Sequence, residues 1–252
     1  MVFREDLMTD EPDSNPPADE AVDGGRHGSP PAEAATLRSR IIERTVEMVG
    51  RTGPASFSAK DLCADLGIAP SLINYHFGSR DRLLAEATVR AYVAYTDEVW
   101  RSVAAAERDP EARLRAWISS AVVWQVTYRG LGVILNYPTS SLEISRIIEE
   151  EFRSTLTQHA ELHLARLILL VRDLRRGQVS DLDIALNAIP REQLLDDMTV
   201  IELASSTGWS VLGLAVWMSG QHLPSEGISE TEVLRAGVVA SHIDRIVHQI
   251  RT

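Results

Sequence analysis

Apolar residues recur every three or four positions from residue 36 onward, a spacing that places them on one face of a helix. No segment shows the sustained alternation or the Asn-Gly turns that are typical of a β-sheet. The pattern therefore predicts an all-α fold, without a solenoid-type repeat. The predicted helices span about 36–51, 59–66, 70–77, 80–108, 110–129, 140–175, 190–220 and 229–251.

The first 33 residues differ in composition from the rest of the chain. They are rich in Pro, Gly, Asp and Glu and poor in large apolar residues, so they cannot bury enough surface to fold by themselves. We therefore expect a disordered acidic arm over residues 1–33. This arm carries a net charge of −7 out of −11 for the whole chain, whereas residues 34–83 carry +2. The acidic total does not exclude nucleic-acid binding, because the positive charge is concentrated in one segment.

Residues 58–77 show the signals of two short helices joined by a tight turn. Ser58 can cap the first helix, with Asp61 three residues later, and Gly67 can end it in left-handed geometry. The second helix starts within three residues at Pro70, which suits a first helical turn. Such a pair forms a helix-turn-helix, whose second helix can enter the major groove of DNA. The same arrangement also occurs in folds that never touch DNA, so the turn alone does not decide the function.

The two faces of the second short helix differ in chemistry. Ile73 and Phe77 lie four positions apart, and we expect them to face inward with Leu72. The outer face then consists of Ser71, Asn74 and Tyr75. Hydroxyl and amide groups can hydrogen-bond phosphate oxygens or base edges without bringing a repelling charge. This face is therefore a candidate DNA-reading surface.

Two segments match a known family pattern. They are residues 57–69, FSAKDLCADLGIA, and residues 73–84, INYHFGSRDRLL. Over roughly residues 37–84 the chain resembles the tetracycline-repressor (TetR) family, in which Tyr-x-His-Phe precedes a Ser-Lys pair and Leu-Leu. Asn74 stands where that family commonly has an aromatic residue. Arg80 replaces the usual lysine, which keeps the charge but leaves the base preference open.

The resemblance implies an organisation and a function. It implies a three-helix helix-turn-helix head over residues 34–83 and a larger helical ligand-binding and dimerisation domain over residues 84–252. The implied function is transcription regulation, in which a repressor is released from a palindromic DNA operator by a small-molecule effector. The implied DNA-binding residues are Ser58, Lys60, Pro70, Ser71, Asn74, Tyr75, His76 and Arg80. For His76, packing or capping at the helix end is an equal alternative.

Aromatic and histidine residues in the C-terminal part are candidates for an effector pocket. Several of them share one helical stripe, which neighbouring segments can approach. The candidate ligand-binding residues are Trp117, Trp124, Tyr128, Tyr137, Phe152, His159 and His163. Ordinary core packing explains most such stripes and remains the alternative. We expect no metal and no cofactor, because His159 and His163 lack a third ligand at a suitable spacing.

The last two predicted helices are rich in small and aliphatic residues, which favours close helix packing. We interpret the apolar stretch at 209–218 as a buried helix, since it is too short to cross a bilayer, and we expect no membrane contact. The family resemblance implies that these helices form a four-helix bundle with a second copy, as a homodimer. A helix pair packed inside a monomer is the alternative.

Other function classes find less support. The 208–212 segment, GWSVL, half matches a Gly-x-Ser-x-Gly nucleophile turn, but no strand precedes it and no Gly-Lys-Ser/Thr phosphate loop occurs, so we expect no enzyme. A helix-turn-helix adaptor without a ligand pocket stays open, and a large apolar core cavity would argue against it. Cys63 is the only cysteine and the N-terminus lacks an apolar signal segment, so we expect a cytoplasmic protein.

Overall fold

The computed structural model describes residues 31–128, 141–182, 196–220 and 230–252. Within these ranges the chain is helical and contains no strand, so the predicted all-α fold is confirmed. The helices are α1 (Pro31–Thr52), α2 (Ala59–Leu66), α3 (Ser71–Phe77), α4 (Arg80–Ala105), α5 (Pro110–Thr127), α6 (Leu142–Ile147), α7 (Arg153–Arg176), α8 (Met198–Gly220) and α9 (Glu230–Arg251). We call α1–α3 the head and α4–α9 the core. Residues 1–30 of the predicted arm lie outside the described residues.

The head helices are defined by caps at their ends and by a shared apolar interior. α1 begins at Pro31, five residues before the predicted start, because proline suits a first turn and alanines follow it. The hydroxyl of Ser58 accepts the backbone N–H of Asp61 at 3.2 Å, and Gly67 ends α2 at φ 65°. Both predicted features are confirmed. The head interior contains Ile41, Leu62, Ile73 and Phe77.

α4 packs against both α1 and α5, so this helix connects the head to the core. It ends at Ala105, short of the predicted 108, because Asp109 caps α5 by accepting a backbone N–H at 2.8 Å. Helical spacing predicts that one side of α4 faces inward, with Leu84, Ala87, Ala91 and Ala94 on it, and the first three are buried. The same prediction is wrong for Ala94, which is exposed at the edge of a groove between α4 and α5.

The helix predicted near 140–175 is confirmed as helical over 142–176, but a π-helical turn (Ile148–Phe152), which was not predicted, separates α6 from α7. A π turn inserts one extra residue and so shifts the helical faces after it. Here it leaves three consecutive glutamates, Glu149–Glu151, exposed, while Phe152 packs half-buried against the core. Glu151 also pairs with Arg82 at the start of α4, at 2.8 Å. The turn therefore contacts the helix that leaves the head.

α8 packs against α5 and α7 but exposes an apolar outer face. Trp209 is 72% exposed, and Val216 and Trp217 are also exposed, so the prediction of a buried helix at 209–218 is wrong for this face. Apolar residues are spread around much of this helix, so no continuous polar side marks its exposed surface in the sequence. By length and composition alone, Met198–Met218 matches a membrane span, with a mean hydropathy of 1.3.

Candidate nucleic-acid interface and core grooves

The orientation of α3 agrees with the predicted one. Ile73 and Phe77 are 3% and 1% exposed and pack into the head interior, and Leu72 is half-buried. On the opposite side Ser71 and Asn74 are exposed, and Tyr75 is 79% exposed. A large aromatic ring that is so open to water lacks the burial that normally stabilises it. The outer face of α3 therefore presents a hydroxyl, an amide and a phenol to solvent.

The other predicted DNA-binding residues differ in how exposed they are to solvent. Lys60 and Pro70 are exposed, whereas Ser58 is half-buried. The Ser58 hydroxyl oxygen accepts the cap hydrogen bond, which leaves its proton available to a phosphate. His76 is half-buried, with its ring 5.0 Å from Tyr75 and 6.2 Å from Phe77 in edge contacts. This placement fits the packing alternative for His76 and leaves a phosphate contact as a prediction.

The guanidinium of Arg80 binds neighbouring groups of the protein, although the side chain is partly exposed. Its guanidinium donates to the backbone carbonyls of Pro54 and Phe57 at 3.0 and 3.2 Å, and it pairs with Asp81 at 3.1 Å. The same group lies over the Phe57 ring at 5.6 Å. Arg80 therefore ties the loop between α1 and α2 to the start of α4. Its predicted phosphate contact is untested, but these bonds assign it a positioning role that the sequence pattern did not reveal.

Ion pairs neutralise most arginines of the head. Arg44 bridges α1 and α2 by binding Asp65 at 2.6 Å, and this guanidinium holds the pKa of the Asp65 carboxyl below its usual range. Arg38 pairs with Glu86 on α4. Among the described head residues, Lys60 and Arg40 are exposed cations without a carboxylate partner. Arg40 was missed as a site candidate, because a charge count treats every arginine alike.

The core contains a cluster of aromatic rings centred on His163. Its ring lies 5.5–5.7 Å from the rings of Tyr95, Trp100 and Trp117. Nδ1 of His163 accepts a hydrogen bond from Nε1 of Trp100 at 3.1 Å. Burial, assisted by the charge of Arg166, lowers the pKa of His163 to about 4, so the imidazole is neutral at pH 7. Trp117 and His163, predicted as ligand residues, are thus packed in the core interior.

A groove of about 880 Å³ opens between α4 and α5, and we call it the α4–α5 groove. Two of the predicted ligand residues, Trp124 and Tyr128, line it. Its other walls combine apolar residues such as Val123 with polar or charged ones, which include Arg90, Asp97, Ser102 and Ser120. These were missed because a polar helix face normally indicates contact with water. Phe152 and His159 are half-buried but do not line this groove, and Tyr137 lies outside the described residues.

A second, smaller groove of about 410 Å³ lies between α5, α8 and α9 and is mostly apolar. Its walls include Val122, Val126, Met218, Val239 and Ile243. Within the described ranges, no group of three His, Cys, Asp or Glu side chains is arranged to hold a metal ion. His163 is poorly suited to one, because its Nδ1 lone pair already accepts the Trp100 hydrogen bond.

Comparison with known proteins decides the family of the head. Residues 41–87 match the family model described as bacterial regulatory proteins of the tetR family. The head therefore contains a TetR-family DNA-binding segment. The match contains α2, α3 and the tight turn between them, so the exposed face of α3 is the outer face of a family helix-turn-helix.

A curated relative agrees with this family assignment. The HTH-type transcriptional regulator BetI of Paraburkholderia phytofirmans is 28% identical over 87 residues. The alignment covers 33% of this chain and 43% of the relative, so less than half of that relative's length is matched.

Solved structures extend the likeness to the whole fold. A Rhodococcus protein of unknown function superposes with a TM-score of 0.58 at 17% identity, over 91% of this chain and 99% of the other. The TetR-family regulator PfmR of Thermus thermophilus gives a TM-score of 0.50 at 20% identity, over 83% and 97%. A TetR-family regulator from a Shewanella species gives 0.52 at 13%, over 84% and 96%. At these identities the likeness shows a shared all-helical architecture.

Proposed function

We propose that this protein regulates transcription by inserting α3 into the major groove of an operator. The observation that carries the proposal is the division of α3 into a buried apolar side and an exposed polar side. Ile73 and Phe77 anchor the helix, while Asn74 and Tyr75 are exposed on its outer side. Asn can bind adenine through two hydrogen bonds, and Lys60 can neutralise a phosphate.

The test is selection of binding fragments from the source genome, followed by titration with variants. Asn74→Ala and Tyr75→Ala should each weaken specific binding about tenfold, the effect of losing one good base contact, with unchanged helicity. Gln158→Ala on α7 removes an equally exposed amide from the core and serves as the matched control. Equal affinities for all four proteins, or no preference for any fragment at low salt, would remove α3 from the interface.

The proposal includes a homodimer formed through α8 and α9. Trp209, Val216 and Trp217 form an apolar face that a monomer would leave in water. The exposed Ser206 and Gly213 on the same helix allow close helix approach. Two copies joined here would present two α3 helices to successive major grooves. Trp209→Glu should shift the mass measured by light scattering from dimer to monomer. Leu142→Glu, which alters an exposed apolar residue on α6, should not.

The proposal also places a small-molecule effector in the α4–α5 groove. Its aromatic end and polar walls suit an amphipathic molecule with a planar apolar part. Such a molecule releases the operator if it binds the DNA-incompetent arrangement more tightly. Thermal-shift screening with amphipathic aromatic compounds should find ligands that also release DNA, and Ser120→Trp should abolish both effects by filling the groove. If no compound does both, the adaptor alternative replaces the effector model.

Catalysis receives no support from the segment that half matched a nucleophile turn. Ser210 lies in the middle of α8, one residue after the exposed Trp209. A nucleophile turn needs a sharp strand-to-helix bend that exposes the serine hydroxyl, and the middle of a helix does not supply such a bend.

A further inference from the structure

Gly50 and Tyr128 form a close contact between the head and the core. Gly50 is buried in the last turns of α1, and Tyr128 follows the end of α5. A Cβ atom added to Gly50 would lie only 2.9 Å from Cδ1 of the Tyr128 ring. This distance is shorter than ordinary van der Waals contact, so the ring fits only because position 50 has no side chain.

The same Tyr128 ring also forms part of the α4–α5 groove. It lines the groove and stacks on Trp124 with ring centres 5.0 Å apart, and Trp124 in turn contacts Tyr95 at 5.0 Å. A molecule that enters the aromatic end of the groove therefore meets the residue that touches the head. Packed aromatic rings have little free volume, so a ring displaced on one side moves its neighbour on the other.

On the head side, Gly50 lies close to the elements that carry the DNA-binding face. Three residues later Gly53 turns the chain at φ 81°, and the following loop leads to α2. Arg80 holds the carbonyls of Pro54 and Phe57 in that loop. A shift at the end of α1 therefore moves the start of α2, because the short loop between them is held by Arg80 at Pro54 and Phe57.

We propose that Tyr128 couples occupancy of the α4–α5 groove to the position of the head through Gly50. The proposal rests on the function proposed above, because it names the route by which a groove ligand changes DNA affinity. The competing route is α4 itself, which lines the groove and continues into the head contacts. The two routes differ in one respect: only the first requires the Tyr128 ring.

A covalent occupant of the groove tests this route without an identified effector. In a Cys63→Ala background, Ser120→Cys is labelled with the thiol-reactive fluorophore bimane, which fills the groove next to Ser102. The operator is the fragment selected by the unlabelled protein. Ala105→Cys, exposed at the far end of α4, carries the same label outside the groove as the matched control.

Labelling of Ser120→Cys should weaken operator binding at least tenfold when Tyr128 is present and less than twofold in Tyr128→Ala. If the label weakens binding equally in both backgrounds, the route through Tyr128 is overturned while the effector groove stands. If the label has no effect even with Tyr128 intact, the effector groove and the route fall together. Should Tyr128→Ala not fold, Tyr128→Val keeps part of the apolar volume while removing the Cδ1 atom.

A double-mutant cycle provides a measurement without any label. Gly50→Ala is compatible with the helical backbone of α1, so its main consequence is a clash with the Tyr128 ring. It should weaken operator binding about fivefold in the parent protein and less than twofold in Tyr128→Ala. Equal effects in the two backgrounds would show that positions 50 and 128 act independently and would overturn the proposal.

Discussion

In the head, the Ser58 hydroxyl caps α2 and arginines bind carboxylates, whereas in the core indole and phenol rings pack around a neutral histidine. The head contacts are formed by groups at or near the surface, where water and salt weaken them. In the core, Trp117 is buried and the half-buried His163 is held without charge. We therefore expect salt to weaken the binding of the head to DNA, and acid to destabilise the core through His163.

The largest expected effect separates the two faces of α3 in the head. Phe77→Ala should lower the free energy of unfolding by about 3–5 kcal/mol, because the ring is fully buried and its loss leaves a cavity. Tyr75→Ala on the exposed face should change it by no more than about 0.5 kcal/mol. Urea titrations of both variants measure the difference. Similar losses for both would contradict the described orientation of α3.

His163 should give the core a pH dependence between about pH 7 and pH 4. The folded pKa of His163 is about 4 and its unfolded pKa is near 6.5, so below pH 6.5 the unfolded chain binds more protons. The contribution to stability is complete above pH 6.5 and falls by about 3 kcal/mol as the pH drops to 4. His163→Gln, which can still accept the Trp100 N–H, should lose less stability than the parent between pH 7 and 5. Parallel curves would rule out titration of His163.

Two matched glycines compare the regions directly. Gly67 after α2 and Gly177 after α7 have φ values of 65° and 63°, and neither has an atom within 4 Å of an added Cβ. Replacement of either with alanine should therefore cost the same backbone strain, about 1 kcal/mol. Only Gly67→Ala should also weaken operator binding, because it lies in the turn before α3. A loss of affinity with Gly177→Ala would contradict this separation.

The smallest effect concerns charge at the surface of the head. Lys60→Ala should leave thermal stability almost unchanged, since Lys60 is exposed and makes no ion pair among the described residues. It should reduce the slope of log affinity against log salt by about one, the value for a single phosphate contact. The control is Arg108→Ala, which removes an exposed cation from the connection between α4 and α5. Arg101 and Arg172 are unsuitable controls, because both side chains have interaction partners.

The head was predictable because its signals lie close together in the chain. Ser58 and Asp61 are separated by three positions, and Gly67 and Pro70 by another three, so caps, turn and helix faces follow from neighbouring residues. Short-range geometry of this kind is nearly independent of the rest of the fold. The inward side of α3 and the end of α2 agreed with the predictions for that reason.

The core resisted prediction because its features depend on residues far apart in sequence. The α4–α5 groove joins polar faces that look like ordinary water-exposed surface, and the aromatic stripe of α5 divides between that groove and the buried cluster around His163. The π turn and the exposed side of α8 likewise depend on which neighbours cover each helix.

From its sequence alone, this protein is determined to be all-helical, with a TetR-type head whose α3 turns Asn74 and Tyr75 outward. Only the tertiary structure decided that Arg80 fastens the head internally, that His163 is enclosed by aromatic rings and that Tyr128 reaches Gly50. The physical reason is the distance along the chain between the interacting residues. Hydrogen bonds within a helical turn are set by adjacent residues, whereas packing between helices depends on which faces, distant in sequence, meet.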